Sequence, residues 1–279
     1  MNVAVTGSSG FIGSHLLPKL KKEGHTVTEI SRTRNLDITN WEKVKDLKPC
    51  EIIVHLAAKT FVPDSFNNPA EFYKTNYIAT LHSLELARKW NARVIYMSSY
   101  FYGPPQYLPV DEKHILNPHN PYAQSKMQSE QLCGAYFRDF GIQCISFRLF
   151  NIYGKGQTGY FLIPEILEKI KNGGTVTLAD PRPKRDFIHV NDAVNAIILA
   201  TNKLNIGFEV FNLGTGVATS VEELVSIIYD RSPIKFKVKF TNKYRKGEIL
   251  ESIACIDKIR NNLNWNPKID IKKGIEYLF

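Results

Sequence analysis

A glycine-rich turn directly after the first apolar run constrains this chain more than any other feature. The run NVAVT begins at residue 2, and its last residue opens the string TGSSGFIG. Glycines at this spacing permit positive φ angles, bring backbone N–H groups close to a pyrophosphate and let a helix pack tightly on a strand. An ordinary βα turn can also be glycine-rich, but the position between a predicted strand and a predicted helix favours dinucleotide binding. The residues expected at the dinucleotide are Gly7, Gly10, Phe11, Ile12 and Gly13.

Short β-rich runs alternate with stretches of helical apolar spacing through the first half of the chain. The runs are NVAVT, TVTEI, EIIVHLAA and RVIYMSS, followed later by CISFRLFNIYG. This order predicts an α/β fold with a parallel sheet and helices on both faces, which is a Rossmann-type doubly wound arrangement. One helix is expected to start at Pro121, directly after Asn120, and to end before Gly141.

The alternation becomes less regular beyond Gly154, which predicts a second, smaller part. We expect a dinucleotide-binding Rossmann domain in residues 1–150 together with about 186–216. A smaller C-terminal substrate-binding cap would then take residues 151–185 and 217–279. A chain of 279 residues is long enough for one large α/β domain with such an appendage.

The charge balance is basic, since 36 Lys and Arg residues face 27 Asp and Glu residues and the formal net charge is +9. Either a solvated basic surface or a polyanionic ligand, such as a dinucleotide with a phosphorylated substrate, explains this surplus. Without a basic stripe or a nucleic-acid-binding motif, nucleic acid is not expected as a partner.

The cysteines and the lengths of the apolar runs bear on metal, compartment and membrane. The four cysteines are scattered singly, without a CxxC pair or the His spacing of a zinc site, so no metal is expected and a reducing cytoplasm fits best. The N-terminus lacks a Lys/Arg cluster and is broken by glycines, which favours a strand and turn over a signal peptide. No stretch of about 18 apolar residues exists, so no membrane span is expected.

The end of the second strand decides which dinucleotide is favoured. An acidic residue there would hold the ribose 2′-hydroxyl of NAD. Ser31 and Arg32 occupy this place, with Arg34 nearby. Because arginine suits a 2′-phosphate, we expect NADP in preference to NAD, with Arg32 contacting that phosphate.

A tyrosine and a lysine in the string NPYAQSK form a candidate proton-transfer pair. Tyr122 and Lys126 lie four residues apart on a predicted helix and therefore share a face. A free tyrosine, with a pKa of about 10, is a poor base at neutral pH. A lysine ammonium beside the phenol would favour the phenolate, so the pair is expected to move a proton.

Five motifs occur in order along the chain: the glycine string, HLAA at 55–58, SSYFYG at 98–103, Tyr122 with Lys126, and RLFNIYG at 148–154. Together they resemble the extended short-chain dehydrogenase/reductases, and specifically the NAD-dependent epimerase/dehydratase family that modifies nucleotide sugars. The resemblance covers nearly the whole chain. It implies an enzyme in which Tyr122 exchanges a proton with the sugar while the nicotinamide exchanges a hydride.

The resemblance also assigns roles around the coenzyme and the reacting centre. A serine of SSYFYG would bind the reacting oxygen. Counting from the strand start favours Ser99 and counting back from the end of the motif favours Ser98, and of the two we prefer Ser99. The residues placed near the coenzyme are Asp37 and Ile38 beside the adenine, Leu56, Ala57 and Ala58 along the dinucleotide, and Asn76 on the helix behind the active site.

On the substrate side, the resemblance implies a nucleotide-diphosphate sugar held by residues of the second half. Asn151 would hold a sugar phosphate, and the stretch 161–164, which begins with Phe161 and Leu162, would lie over the base. Arg185 would bind the diphosphate. In the string YRKGE, Arg245 would meet a phosphate and Glu248 the ribose, with Lys246 and Glu248 replacing the proline and aspartate usual in the family.

The residues after the catalytic hydroxyl narrow the reaction. A dehydratase of this family would carry an acid there, whereas this chain has Tyr100 and Phe101. Two reactions remain: epimerisation at C4 of the hexose by transient oxidation and hydride return, and NADPH-dependent reduction of a 4-keto-6-deoxy sugar. A non-catalytic dinucleotide- or RNA-binding protein is the alternative from another class. The resemblance further implies a homodimer formed through the helices around residues 72–89 and Tyr122.

Overall fold

Strands and helices alternate from the start of the computed structural model, which describes residues 1–203, 206–244 and 247–279. The strands are β1 (Asn2–Thr6), β2 (Thr26–Ile30), β3 (Ile52–His55), β4 (Arg93–Ser99), β5 (Cys144–Leu149), β6 (Asn151–Tyr153), β7 (Val176–Leu178), β8 (Lys184–His189), β9 (Phe208–Leu213), β10 (Ala218–Ser220), β11 (Val238–Phe240) and β12 (Glu251–Ser252).

The helices include the one predicted after Asn120. They are α1 (Phe11–Lys22), α2 (Trp41–Val44), α3 (Val62–Asn67), α4 (Pro69–Phe72), α5 (Ala79–Trp90), α6 (Pro121–Phe140), α7 (Leu162–Lys171), α8 (Val190–Thr201), α9 (Val221–Arg231), α10 (Asp257–Leu263) and α11 (Ile271–Glu276). A 3₁₀ turn spans Arg32–Arg34, and a π-helical segment, Tyr73–Ile78, joins α4 to α5. The side chain of Asn120 caps α6 by accepting from the Ala123 N–H at 2.8 Å, and Gly141 ends it with φ of +71°.

The large sheet has six parallel strands in the order β2-β1-β3-β4-β5-β9. Successive side chains of a strand point to opposite faces, so Val3 and Val5 join a core with α1 and α8, while Ala4 joins a second core with α5 and α6. Helices therefore cover both faces, and the predicted Rossmann-type doubly wound fold is confirmed. The order reverses between β1 and β3, and ligands in such sheets bind beyond the carboxyl ends of the strands near this reversal.

The second half of the chain forms smaller sheets with a core of their own. β8 lies between β10 and β12 and also pairs with β6, while β11 pairs with β7. Residues of α7, α9 and α11 pack there in a third apolar cluster. The chain then returns to the large sheet, because Ile259 and Trp265 belong to the core beside α1 and α8. The division into residues 1–150 with 186–216 and a cap remains a prediction.

In the ranges that the structure describes, no helix combines the length and the apolar character needed to cross a membrane. Within the same ranges, no three His, Cys, Asp or Glu side chains come together in a way that would hold a metal ion.

Candidate active site

An open pocket of about 230 Å³ lies beyond the carboxyl end of β4. It brings together four residues that the sequence placed in the site, namely Ser99, Tyr122, Arg185 and Glu248. Asn151, Phe161 and Leu162 are described by the structure but lie outside the lining of this pocket. Arg245 lies outside the described residues, as does Lys246. Ser99 and Tyr122, expected at the reacting centre, thus share one cavity with Arg185 and Glu248, expected at the nucleotide.

Local structure explains why Ser99 and Tyr122 meet. Ser99 is the last residue of β4, at the carboxyl edge of the sheet, and Tyr122 lies in the first turn of α6. Neighbouring strand residues face opposite sides, which separates the two candidate serines. Ser99 lines the pocket, whereas the Ser98 hydroxyl is buried and finds no hydrogen-bond partner among the described residues. This arrangement favours Ser99 as the serine that binds the reacting oxygen.

The phenol of Tyr122 is held in an environment that opposes its ionisation. Burial raises the pKa of Tyr122 to about 12, because a desolvated phenolate is costly, and the hydroxyl of Ser99 acts in the opposite direction. The ring also packs edge-on against Phe72, with 6.4 Å between the centroids. In the absence of a further positive charge, the group stays neutral at physiological pH.

Lys126 is fully enclosed on the same helix, one turn further along. Burial lowers the pKa of Lys126 to about 7. The spacing predicted an ammonium beside the phenol, yet the hydrogen bond of Nζ goes to the Met97 carbonyl, and Nζ lies 4.3 Å from the centroid of the Tyr96 ring. A buried ammonium needs acceptors, and a strand carbonyl and an aromatic face provide them here.

The π-helical segment places Asn76 behind the pocket as a structural tie. Its Oδ1 accepts from the Lys59 N–H at 2.8 Å, and its Nδ2 donates to the Lys59 carbonyl at 3.2 Å and to Ser125 Oγ at 2.9 Å. The residue therefore joins the loop after β3 to the helix that carries Tyr122.

The glycine turn fits a pyrophosphate. Gly7 has φ of +66°, and a Cβ there would lie 2.8 Å from the Ala57 nitrogen. A Cβ on Gly13 would lie 2.5 Å from the Ser8 carbonyl oxygen. Gly10 precedes α1, and no side chain in the described part of the chain caps this helix start. The buried Ser8 hydroxyl likewise has no partner within the described ranges. Free N–H donors at a helix start attract anions.

Near the place expected for the adenosine end of the coenzyme lies an acidic residue, Glu29, to which the sequence analysis gave no role. Ser31 is buried with its Oγ 2.9 Å from Thr33 Oγ1, and Arg32 is exposed at the start of the 3₁₀ turn. Arg34 is paired with Glu29, the penultimate residue of β2, at 2.8 Å. Arg32 is thus the better placed of the two arginines to meet a phosphate.

The other residues expected near the coenzyme make local contacts at the same edge of the sheet. The Asp37 carboxylate accepts from the N–H and the hydroxyl of Thr39, both at 2.9 Å, while Ile38 is buried in the core. The N–H groups of Leu56 and Ala57 each reach Thr6 Oγ1 at 3.2 Å, and Ala58 follows them half-buried.

On the substrate side, the two residues proposed for the diphosphate and ribose are paired with each other. Arg185, in β8, places its Nη2 2.5 Å from Glu248 Oε1, and its Nη1 donates to the Ile249 carbonyl at 2.7 Å. Asn151, the first residue of β6, accepts at Oδ1 from the Tyr100 hydroxyl at 3.0 Å. Phe161 and Leu162 stand at the start of α7, where Leu162 packs against the third apolar cluster.

Several residues of the pocket were not assigned a binding role from the sequence. They are Val62, Tyr100, Phe101, His119, Asn120 and Ser252. Tyr100 and Phe101 directly follow Ser99, and the two residues before α6 stand next to Tyr122. Their position at the carboxyl edge of the sheet was therefore a usable signal. Ser252 comes from a strand far along the chain, and no local pattern marks it.

The sequence model of the NAD dependent epimerase/dehydratase family matches residues 3–214. The chain belongs to this family. UDP-glucose 4-epimerase of Rhizobium meliloti is 31% identical over 97% of this chain and 93% of its own length. GDP-6-deoxy-D-mannose reductase of Pseudomonas aeruginosa is 28% identical over 97% of this chain and 93% of its own length. The crystal structure of UDP-glucose 4-epimerase with UDP-glucose from Thermotoga maritima is 30% identical, with a TM-score of 0.92 over 99% of this chain and 97% of that chain.

Proposed function

We propose that this protein is an NAD(P)-dependent nucleotide-diphosphate-sugar epimerase that inverts C4 of a hexose by transient oxidation and hydride return. The observation that carries the proposal is that Ser99 and Tyr122 line the same pocket as Arg185 and Glu248. A nucleotide sugar offers a sugar hydroxyl and a diphosphate. The hydroxyl groups of Ser99 and Tyr122 suit the first, and the guanidinium of Arg185 suits the second.

The chain's own residues account for binding and proton movement. The glycine turn and the uncapped start of α1 would hold the pyrophosphate of the coenzyme, whose nicotinamide supplies hydride acceptance and return at the sugar carbon. Ser99 holds the C4 oxygen by a hydrogen bond. Tyr122 accepts the proton of that hydroxyl as the carbon is oxidised and gives it back when the carbonyl is reduced. Lys126 would stabilise the phenolate of Tyr122 during this exchange when it is protonated and turned from the Met97 carbonyl towards the phenol.

The test uses Tyr122→Phe, which removes only the phenolic hydroxyl. We expect turnover to fall at least about tenfold, because general acid–base catalysis contributes roughly 10²–10⁴-fold. The purified protein is incubated with UDP-glucose and other nucleotide sugars, and products are followed by NMR. A variant that keeps more than about a tenth of wild-type turnover would show that another group moves the proton.

A second candidate function is NADPH-dependent reduction of a nucleotide-linked 4-keto-6-deoxy sugar. It is favoured by the exposed Arg32 at the end of β2 and by the similarity to GDP-6-deoxy-D-mannose reductase. The two reactions differ in stoichiometry. An epimerase turns over without added coenzyme, whereas a reductase consumes one NADPH for each product, which is visible as loss of the reduced-nicotinamide absorbance.

The coenzyme preference is a proposal of its own, in which Arg32 selects NADP over NAD. Arg32→Ala is expected to weaken NADP binding and to leave NAD binding nearly unchanged, since only NADP carries the 2′-phosphate. Arg34→Ala is the matched comparison, because that guanidinium is already paired with Glu29. Dissociation constants of both coenzymes measure the effect. An unchanged ratio in Arg32→Ala contradicts the assignment.

We further propose a cytoplasmic homodimer in which residues 72–89 and α6 pack against their symmetry mates, with residues 151–185 and 217–279 acting as the substrate-binding cap. The four cysteines are free thiols, which suits a reducing compartment. Sedimentation equilibrium of the purified protein tests the dimer, and a monomer at micromolar concentration would contradict it.

A further inference from the structure

Tyr100 is a pocket-lining side chain that the proposed reaction does not use. It directly follows Ser99 in the chain and lines the cavity together with Tyr122 and Arg185. Its ring stacks on Phe150, with 4.7 Å between centroids and 13° between planes. Such stacking adds to the stability of an aromatic pair and here leaves the phenol little rotational freedom.

The hydroxyl of Tyr100 is committed to one partner. It donates to Asn151 Oδ1 at 3.0 Å, across 51 residues of sequence. Burial raises the pKa of Tyr100, while the charge of Arg185 acts in the opposite direction, so the phenol keeps its proton at physiological pH. The phenol therefore remains a hydrogen-bond donor at physiological pH.

This hydrogen bond determines what Asn151 can offer a ligand. An asparagine amide has one acceptor end and one donor end. The acceptor end is held by the phenol, and the Nδ2 group makes only a long contact of 3.4 Å to the Asp186 carbonyl. A phosphate oxygen can only accept hydrogen bonds, so it needs the NH₂ end and is repelled by the oxygen end.

We propose that Tyr100 is a positioning residue that holds the Asn151 amide with its NH₂ group available to the diphosphate of the nucleotide sugar. This inference rests on the proposed function, because it requires a nucleotide-diphosphate ligand that extends from the pocket past Tyr100 to Asn151, which lies outside the pocket lining. Tyr100, the residue after Ser99, would thus contribute to substrate binding through Asn151. Without the phenol, the amide can turn over and present its oxygen to the phosphate.

The variant that tests this is Tyr100→Phe, which keeps the stacked ring and removes only the donor. We expect the KM for UDP-glucose and the Kd for UDP to rise about threefold to tenfold, which is the effect of one hydrogen bond, while kcat changes less than about twofold. Asn151→Ala should weaken UDP binding similarly. In the double variant the two effects should not add, because both remove the same interaction.

Tyr102→Phe is the matched control. This phenol belongs to the same loop but donates to Asn212 Oδ1 at 2.5 Å and accepts from Arg148 Nη1 at 2.9 Å, in the interior of the protein. Its loss is expected to lower the unfolding midpoint and to leave UDP binding unchanged. Tyr100→Phe should instead weaken UDP binding and leave the unfolding midpoint nearly unchanged.

Calorimetric titration with UDP and GDP separates the outcomes, since it needs no turnover. If Tyr100→Phe binds UDP as tightly as the wild type, the role of Tyr100 is overturned and the proposed function stands. The same holds if the losses of UDP affinity add in the Tyr100→Phe/Asn151→Ala double variant. A wild-type protein that binds neither of these nucleotides, and neither dTDP nor CDP in the same titration, would overturn the proposed function and this inference with it.

Discussion

Replacing Lys126 by methionine tests how strongly the interior of the site disfavours charge. The methionine keeps a long apolar stem and removes the ammonium. Burial lowers the pKa of Lys126 from 10.5 to about 7 in the folded protein. The unfolded chain therefore binds one more proton than the native protein between about pH 7 and pH 10.5, and native stability must rise with pH across this window. Below the window both states are protonated, and the cost of burying the ammonium is paid in full.

The size of the effect follows from the two pKa values. Between about pH 7.5 and about pH 9.5 the linkage relation gives the wild-type protein a gain of about 2.5 kcal/mol in unfolding free energy from this one group. Lys126→Met has no such group, so the stability difference between variant and wild type should shift by that amount in favour of the wild type.

Urea unfolding of the coenzyme-free proteins at the two pH values measures this difference, with Lys22→Met as the control because Lys22 is exposed at the end of α1. The control should track the wild type at both pH values. A difference for Lys126→Met that moves by less than about 0.5 kcal/mol would refute the depressed pKa and the enclosed site that causes it.

Two further predictions concern the scaffold of the site. Glu130→Gln should lower the unfolding free energy by about 3–5 kcal/mol, because it leaves the buried guanidinium of Arg148 without the carboxylate that lies 2.6 Å away. The double variant Glu130→Leu/Arg148→Met should lower it by less, and equal losses in urea unfolding would contradict this. Gly13→Ala should weaken coenzyme binding at least about tenfold, measured by fluorescence titration, since its Cβ would lie 2.5 Å from the Ser8 carbonyl oxygen. Gly174→Ala is the control and should bind the coenzyme as the wild type does, because the nearest atom to its Cβ would be 3.6 Å away.

The parts of the fold and site that sequence patterns predicted are those set by short stretches of chain. The glycine turn is determined by residues 7–13, and α6 is determined by Asn120, Pro121 and Gly141 at its ends. The positions of Ser99 and Tyr122 follow, since each stands at a fixed distance from an element end. Parallel strands all end at one edge of a sheet, so predicting the strands was enough to bring the two hydroxyl groups near each other.

The contacts that sequence reasoning could not predict join residues far apart in the chain. Arg185 and Glu248 are separated by 63 residues, and Tyr100 and Asn151 by 51. Each pair depends on how β6 and β8 lie against the end of β4, which no local periodicity encodes. The orientation of Lys126 could not be predicted either. The spacing on α6 defines only the face of the helix, whereas the Met97 carbonyl, which belongs to β4, determines where the ammonium points.

The electrostatics of the site are consistent with a resting state that carries little buried charge. With the pKa of Tyr122 raised to about 12 and that of Lys126 lowered to about 7, both side chains are largely neutral at slightly alkaline pH. The nearby guanidinium of Arg185 is neutralised by Glu248. A diphosphate that binds here would compete with Glu248 for Arg185, and ionisation of the Tyr122 phenol is favoured only when positive charge is brought close to it. Ionisation of Tyr122 is thus coupled to the arrival of positive charge beside it, because the phenol itself is buried.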